Sequence, residues 1–134
     1  MRVLFIDDDR SLLDLVVLGF GADTDAMLCV ASDAGEALGL LRSQAYDVIL
    51  LDAVMPDVCG PDLLAQILST VEDPPPVFYI TALALDHQRA SLLETGAAGV
   101  ITKPFDPFSL PRRVRHLVNA VERAQTQNSA ALAA

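Results

Sequence analysis

The side chains best equipped for chemistry are Asp7, Asp8 and Asp9 near the start of the chain, then Asp52, Thr81 and Lys103 farther along. Carboxylates brought to one place repel one another, and each is pushed towards protonation unless a cation shares the site. Hard oxygen donors with room for water suit Mg²⁺, or Mn²⁺, over metals that prefer softer ligands. A lysine adds a compact positive charge of the kind that holds a phosphate, and a threonine hydroxyl can donate to a phosphoryl oxygen. An aspartate between a metal and a lysine can attack phosphorus and become an aspartyl-phosphate. The metal and Lys103 would offset the charge of the transferred group.

Taken singly, each residue has a plainer reading. Asp7–Asp9 suits an acidic helix start, and Asp9 reads as the cap, not a ligand. Asp52 suits a turn before Met55–Pro56. Thr81 suits a cap or a satisfied loop hydroxyl, and Lys103 a solvated surface. His87 and His116 have no partner at metal-ligand spacing, and His116 lies off the apolar stripe of its helix. Arg112, Arg113 and Arg115 read as a solvated helix face, open to meeting an acidic partner. The chemistry therefore depends on whether the fold gathers the carboxylates, the hydroxyl and the ammonium.

Short, nearly continuous apolar runs occur at Val3–Ile6, Met27–Val30, Asp47–Leu51, Val77–Ile80 and Gly99–Ile101. Such runs suit strands buried on both faces of a parallel sheet. Between them lie stretches with helical spacing: Leu12, Leu13, Leu15 and Val16 towards Phe20; Ala37, Leu38 and Leu41; Leu63, Leu64, Ile67 and Leu68; Leu92 and Leu93 before Gly96; and Leu110, Val114, Leu117, Val118 and Val121. Asp33 with Glu36 forms a capping pattern, and Asp106–Pro107 reads as cap and first-turn proline. This alternation predicts an α/β fold: a doubly wound, five-stranded parallel sheet of flavodoxin-like order 2-1-3-4-5. In that topology Asp7–Asp9, Asp52, Thr81 and Lys103 all follow strands and meet at the carboxyl edge, where such sheets bind ligands.

The totals narrow the function. With 134 residues there is room for one domain and one core. Residues 1–122 carry the pattern; 123–134 is Ala-, Gln- and Ser-rich without an anchor, leaving frayed helix, linker and disordered end open. A formal net charge of −9 argues against direct nucleic-acid binding by this domain. No apolar run reaches membrane-spanning length, and no secretory leader is apparent. Cys29 and Cys59 form no disulfide framework and read as free thiols in a reducing cytoplasm.

The strings VLFIDDDRSLL, YDVILLDAVMPDVCG, FYITALA and GAAGVITKPFDPFSL resemble the signature segments of response-regulator receiver domains, over residues 1 to about 122. The resemblance implies a two-component phospho-switch, not a turnover enzyme. Asp52 would accept a phosphoryl group from a histidine kinase or phosphotransfer protein. Asp7 and Asp8, with Asp52 and the backbone carbonyl of Val54, would hold Mg²⁺; Thr81 and Lys103 would contact the phosphoryl group. It also implies a cis Lys103–Pro104 bond, and permits homodimerisation through the face of the fourth helix, fifth strand and fifth helix.

Val100 departs from the pattern. Receivers similar to this chain usually carry Tyr or Phe there, and valine is too stiff at χ1 for the same inward swing. The expectation is a relay through backbone shift or helix repacking. Val54 and Leu83 are apolar, and the resemblance places them at the rim where hydrolytic water enters, which predicts a long-lived phosphoryl group. Two other readings compete. In a haloacid-dehalogenase-type phosphatase Asp7 would be the nucleophile, but a later acidic pair and a cap insertion are missing. In a degenerate receiver used only for binding, the set Asp8, Asp52, Thr81 and Lys103 would have no purpose.

Overall fold

A computed structural model describes residues 1–82 and 85–133, and the side chains of 1–82 and 85–128. The elements alternate as β1 (Arg2–Ile6), α1 (Arg10–Gly21), β2 (Met27–Ala31), α2 (Ala34–Ser43), β3 (Val48–Asp52), α3 (Gly60–Thr70), β4 (Val77–Thr81), α4 (Asp86–Leu93), β5 (Gly99–Thr102) and α5 (Leu110–Ala133). The strands form one parallel sheet in the order β2-β1-β3-β4-β5. The predicted α/β class and strand order are those found.

Burial explains the apolar runs. Every residue of β3 and β4 is buried, because helices cover both faces at the middle of the sheet. Against one face, Leu13, Val16 and Phe20 of α1 pack with Leu110, Val114 and Val118 of α5. Against the other lie Ala37 of α2, Leu63, Leu64 and Ile67 of α3, and Leu92 of α4. Each large aliphatic side chain so buried contributes roughly 1.5–3 kcal/mol.

Local signals set most helix ends. Asp33 accepts from the Glu36 N–H at 2.8 Å, and the Glu36 carboxylate accepts from the Ser32 N–H at 2.9 Å. Asp9 accepts from the Leu12 N–H at 3.2 Å, as its reading as a cap requires. Gly96, at φ +105°, closes the segment after α4 in a conformation that favours glycine.

Two expectations need correction. Asp106 does take the Phe108 N–H at 2.9 Å, but this caps a separate turn and α5 begins at Leu110. Pro107 therefore lies in the connection and Pro111 in the first turn of the helix. The cause is a close approach between backbones: a Cβ at Gly19 of α1 would overlap the Pro107 carbonyl, so the connection lies directly on α1. Arg115 is not simply solvated, since its Nη2 lies 2.6 Å from Asp23 Oδ2 beyond the end of α1. That guanidinium holds the Asp23 carboxyl below the usual carboxylate range.

The helix α5 continues to Ala133, through the segment from residue 123 onward.

Candidate functional site

Parallel strands all end on the same side, so residues distant in sequence meet at one edge. β1 and β3 are adjacent, with Ile6 opposite Leu51, which sets Asp7 beside Asp52. The Asp7 N–H donates to the Ala31 carbonyl at 3.0 Å, fixing the chain as it leaves β1. Asp7 Oδ1 accepts from the Asp9 N–H at 2.9 Å, while Asp8 is turned outward and exposed. Ala53 N–H donates to the Ile80 carbonyl at 3.1 Å, holding the end of β3 against β4. A Cβ at Gly60 would lie 2.8 Å from the Asp52 carbonyl oxygen, so only glycine lets α3 begin this close behind Asp52.

One carboxylate oxygen from each of Asp7, Asp8 and Asp52 lies within 4.8 Å of the others. Lys103 reaches them from β5, its Nζ 3.0 Å from Asp7 Oδ2 and 3.8 Å from Asp52 Oδ1. Thr81 ends β4 opposite Thr102, and its carbonyl accepts from the Lys103 N–H at 2.8 Å. The Lys103–Pro104 peptide bond is cis. Val54 is exposed, and its N–H donates to Asp52 Oδ1 at 3.1 Å. The edge thus gathers Asp7, Asp8, Asp52, Val54, Thr81 and Lys103, but Leu83 lies outside the described residues. His87 and His116 are exposed and take no part.

Asp7 is fully buried and Asp52 is only 6% exposed. Burial pushes the Asp52 carboxyl up to about 6. The charges of Asp7 and Asp8 add to that rise, while the Val54 N–H and the Lys103 ammonium oppose it. The donor set fits a hydrated divalent cation: the oxygens are hard, and exposed Asp8 leaves space for water ligands. Such an arrangement can bring a dication and an ammonium to the two sides of one nearly buried carboxylate.

Two polar contacts around α4 were not legible from sequence motifs. Arg89 of α4 donates from Nη2 to Thr102 Oγ1 at 2.6 Å. The Tyr79 hydroxyl lies 2.7 Å from Thr95 Oγ1, just beyond α4. Val100 is half-buried opposite Tyr79, packed against the core beneath α2, α3 and α4. An arginine in a short helix and a threonine before the lysine were the available signals, but neither shows which way its side chain turns.

Comparison with known proteins agrees with this geometry. Residues 3–115 match the response regulator receiver domain family. Transcriptional regulatory protein CpxR of Klebsiella pneumoniae is 32% identical over 128 residues, covering 96% of this chain and 53% of that protein. The "14.6 kDa protein in sodA1 3'region" of Leptolyngbya boryana is 32% identical over 116 residues, covering 86% of this chain and 88% of that one. The receiver domain of the Francisella response regulator 1452 superposes with a TM-score of 0.78 at 31% identity, covering 90% of this chain and 98% of that one. The chain belongs to the response regulator receiver domain family of two-component signalling switches. It spans about half the length of the curated transcriptional regulators it matches. No helix among the described residues is long and apolar enough to cross a membrane.

Proposed function

We propose that this domain is a phospho-accepting switch in which Asp52 takes a phosphoryl group from a histidine kinase or phosphotransfer protein. The observation that carries the proposal is the close set of Asp7, Asp8 and Asp52 oxygens with the Lys103 ammonium beside them. An Asp52 oxygen attacks phosphorus, the bond from phosphorus to the donor nitrogen breaks, and the imidazole leaves with the electron pair. Lys103 and the Thr81 hydroxyl meet the oxygens of the transferred group. Asp7, Asp8, Asp52 and the Val54 carbonyl would hold Mg²⁺, which when bound neutralises charge between acceptor and phosphoryl group. Loss of the group is hydrolysis by water, so the domain switches state without turning over a substrate.

The output we propose is a changed surface on α4, β5 and α5, offered to a partner, an output domain or a second copy of the chain. The central test is incubation with acetyl phosphate and Mg²⁺, followed by intact mass and site mapping. The expected result is a gain of one phosphoryl group at Asp52, absent in Asp52→Asn. Retention of the label in Asp52→Asn, with its loss in Asp7→Asn, would instead indicate a phosphatase nucleophile at Asp7.

A further inference from the structure

α4 is loosely held by apolar packing. Leu92 is its only buried residue, whereas α3 buries Gly60, Leu63, Leu64 and Ile67. Two polar contacts also attach it. Near its C-terminal end, Thr95 meets Tyr79 of β4 at 2.7 Å. Within the helix, half-buried Arg89 reaches Thr102 of β5 at 2.6 Å.

The Arg89 contact is incomplete. Its Nε–H is buried and has no hydrogen-bond partner among the described residues. A guanidinium donor removed from water without an acceptor is costly, and any nearby rearrangement offering an acceptor is favoured. Thr102, which holds the other end of the contact, is the cross-strand neighbour of Thr81. The Lys103 N–H to Thr81 carbonyl bond of 2.8 Å joins the two strands at the same level. Arg89 is therefore fastened to the strand pair that supplies Thr81 and Lys103 to the carboxylate edge. Thr102 and Asp52 stand two strand spacings apart, about 10 Å. In the proposed switch the Thr81 hydroxyl moves to meet the transferred oxygens, and a shift at Thr81 reaches its cross-strand neighbour Thr102, where Arg89 is held.

We propose that Arg89 is the positioning residue through which α4 senses the Asp52 edge: its guanidinium clasps Thr102 in the unphosphorylated chain and lets go when the edge gains a phosphoryl group. This rests on the reading of Asp52 as the phospho-acceptor. An arginine bonded to a neutral hydroxyl, with a second donor unused, exchanges that contact readily for charge-assisted ones. Val100 is too small and too stiff to carry the signal by swinging inward. Releasing Arg89 frees the middle of α4, while the Tyr79–Thr95 contact still holds its C-terminal end. The expected motion is a pivot of α4 about that end.

The test follows the Arg89 Nε–H signal by ¹⁵N NMR in the full chain, before and after beryllofluoride with Mg²⁺, beside acetyl phosphate labelling read by mass. In the free protein the Nε–H is expected to be protected from solvent exchange. On beryllofluoride loading it should shift and lose that protection. Thr102→Val removes the hydroxyl acceptor at nearly constant shape. It should move the α4 amide signals of the free protein towards their loaded positions, while Asp52 still gains its phosphoryl group. Arg89→Lys, which keeps the charge but not the reach to Thr102, should do the same. A merely structural contact would leave the Nε–H signal unchanged on loading. That result, with Asp52 labelled normally, overturns the proposal alone. Failure of Asp52 to label in the unmodified chain overturns the phospho-acceptor reading and this proposal with it.

Discussion

Lys103 places its Nζ 3.0 Å from Asp7 Oδ2, although 96 residues separate the two in sequence. Asp7 is fully buried, so this ammonium is the nearest compensation for a charge that has left water. Lys103→Met should destabilise the metal-free protein by about 2 kcal/mol, less than a fully buried pair because the lysine is partly exposed. Mg²⁺ should restore much of the loss and bind several-fold more tightly than to the unmodified chain, since a competing cation has gone. Urea denaturation with chelator and with Mg²⁺ measures both effects. Equal destabilisation in the two conditions would contradict them.

Asp52 gives a pH signature of opposite sign to an ordinary salt-bridged aspartate. Burial raises its carboxyl from 3.8 to about 6, so between those values the folded chain holds a proton that the unfolded chain has released. Its contribution therefore favours folding at low pH and is lost as pH rises through about 6, by roughly 3 kcal/mol at most. In chelator, Asp52→Asn should flatten this part of the profile and raise the melting temperature at pH 7. The check is a set of thermal melts across the interval.

Gly60 is expected to tolerate nothing larger. A Cβ there lies 2.8 Å from both the Asp52 carbonyl oxygen and the Ala53 Cα, and backbone atoms cannot rotate away. Gly60→Ala should cost about 2 kcal/mol and, with Asp52 as the proposed acceptor, slow phosphoryl transfer by displacing it. Denaturation and acetyl phosphate labelling rates report the two effects separately.

The ring of Tyr79 is fully buried, and its hydroxyl meets Thr95, which also donates to the Leu92 carbonyl at 2.6 Å. Tyr79→Phe keeps the ring and removes one hydrogen bond, at a cost of about 1 kcal/mol. Because Thr95 retains Leu92, the loss should be confined to α4. Amide hydrogen exchange should therefore rise there and not in β3.

Val54 is 64% exposed and puts an isopropyl group where a polar side chain would recruit water. With Asp52 as the proposed acceptor, its phosphoryl group is accordingly expected to be long-lived, and Val54→Gln to shorten its life. A half-life of seconds for the unmodified domain, followed by mass, would contradict the expectation.

The five strands and the meeting of Asp7, Asp52, Thr81 and Lys103 were legible because strand order alone brings strand ends together. Continuous apolar runs at Asp47–Leu51 and Val77–Ile80 marked the strands that proved buried throughout. The Asp33–Glu36 pattern was legible because capping is local. Contacts made by helix side chains to neighbouring elements were not. Arg115 with Asp23, and Arg89 with Thr102, depend on how each helix is rotated and how far the next element lies away. Asp106–Pro107 was read as the start of the last helix because sequence does not reveal that α1 lies against that connection.

The meeting of Gly19 with the Pro107 carbonyl is a joint between two main chains. Its spacing is set by atoms common to every amino acid, so exchanging the surrounding side chains cannot adjust it, and added bulk can only force it open. The segment carrying Lys103 thus inherits a fixed seat on the first helix. Variation can accumulate around that seat without loosening the ammonium's aim.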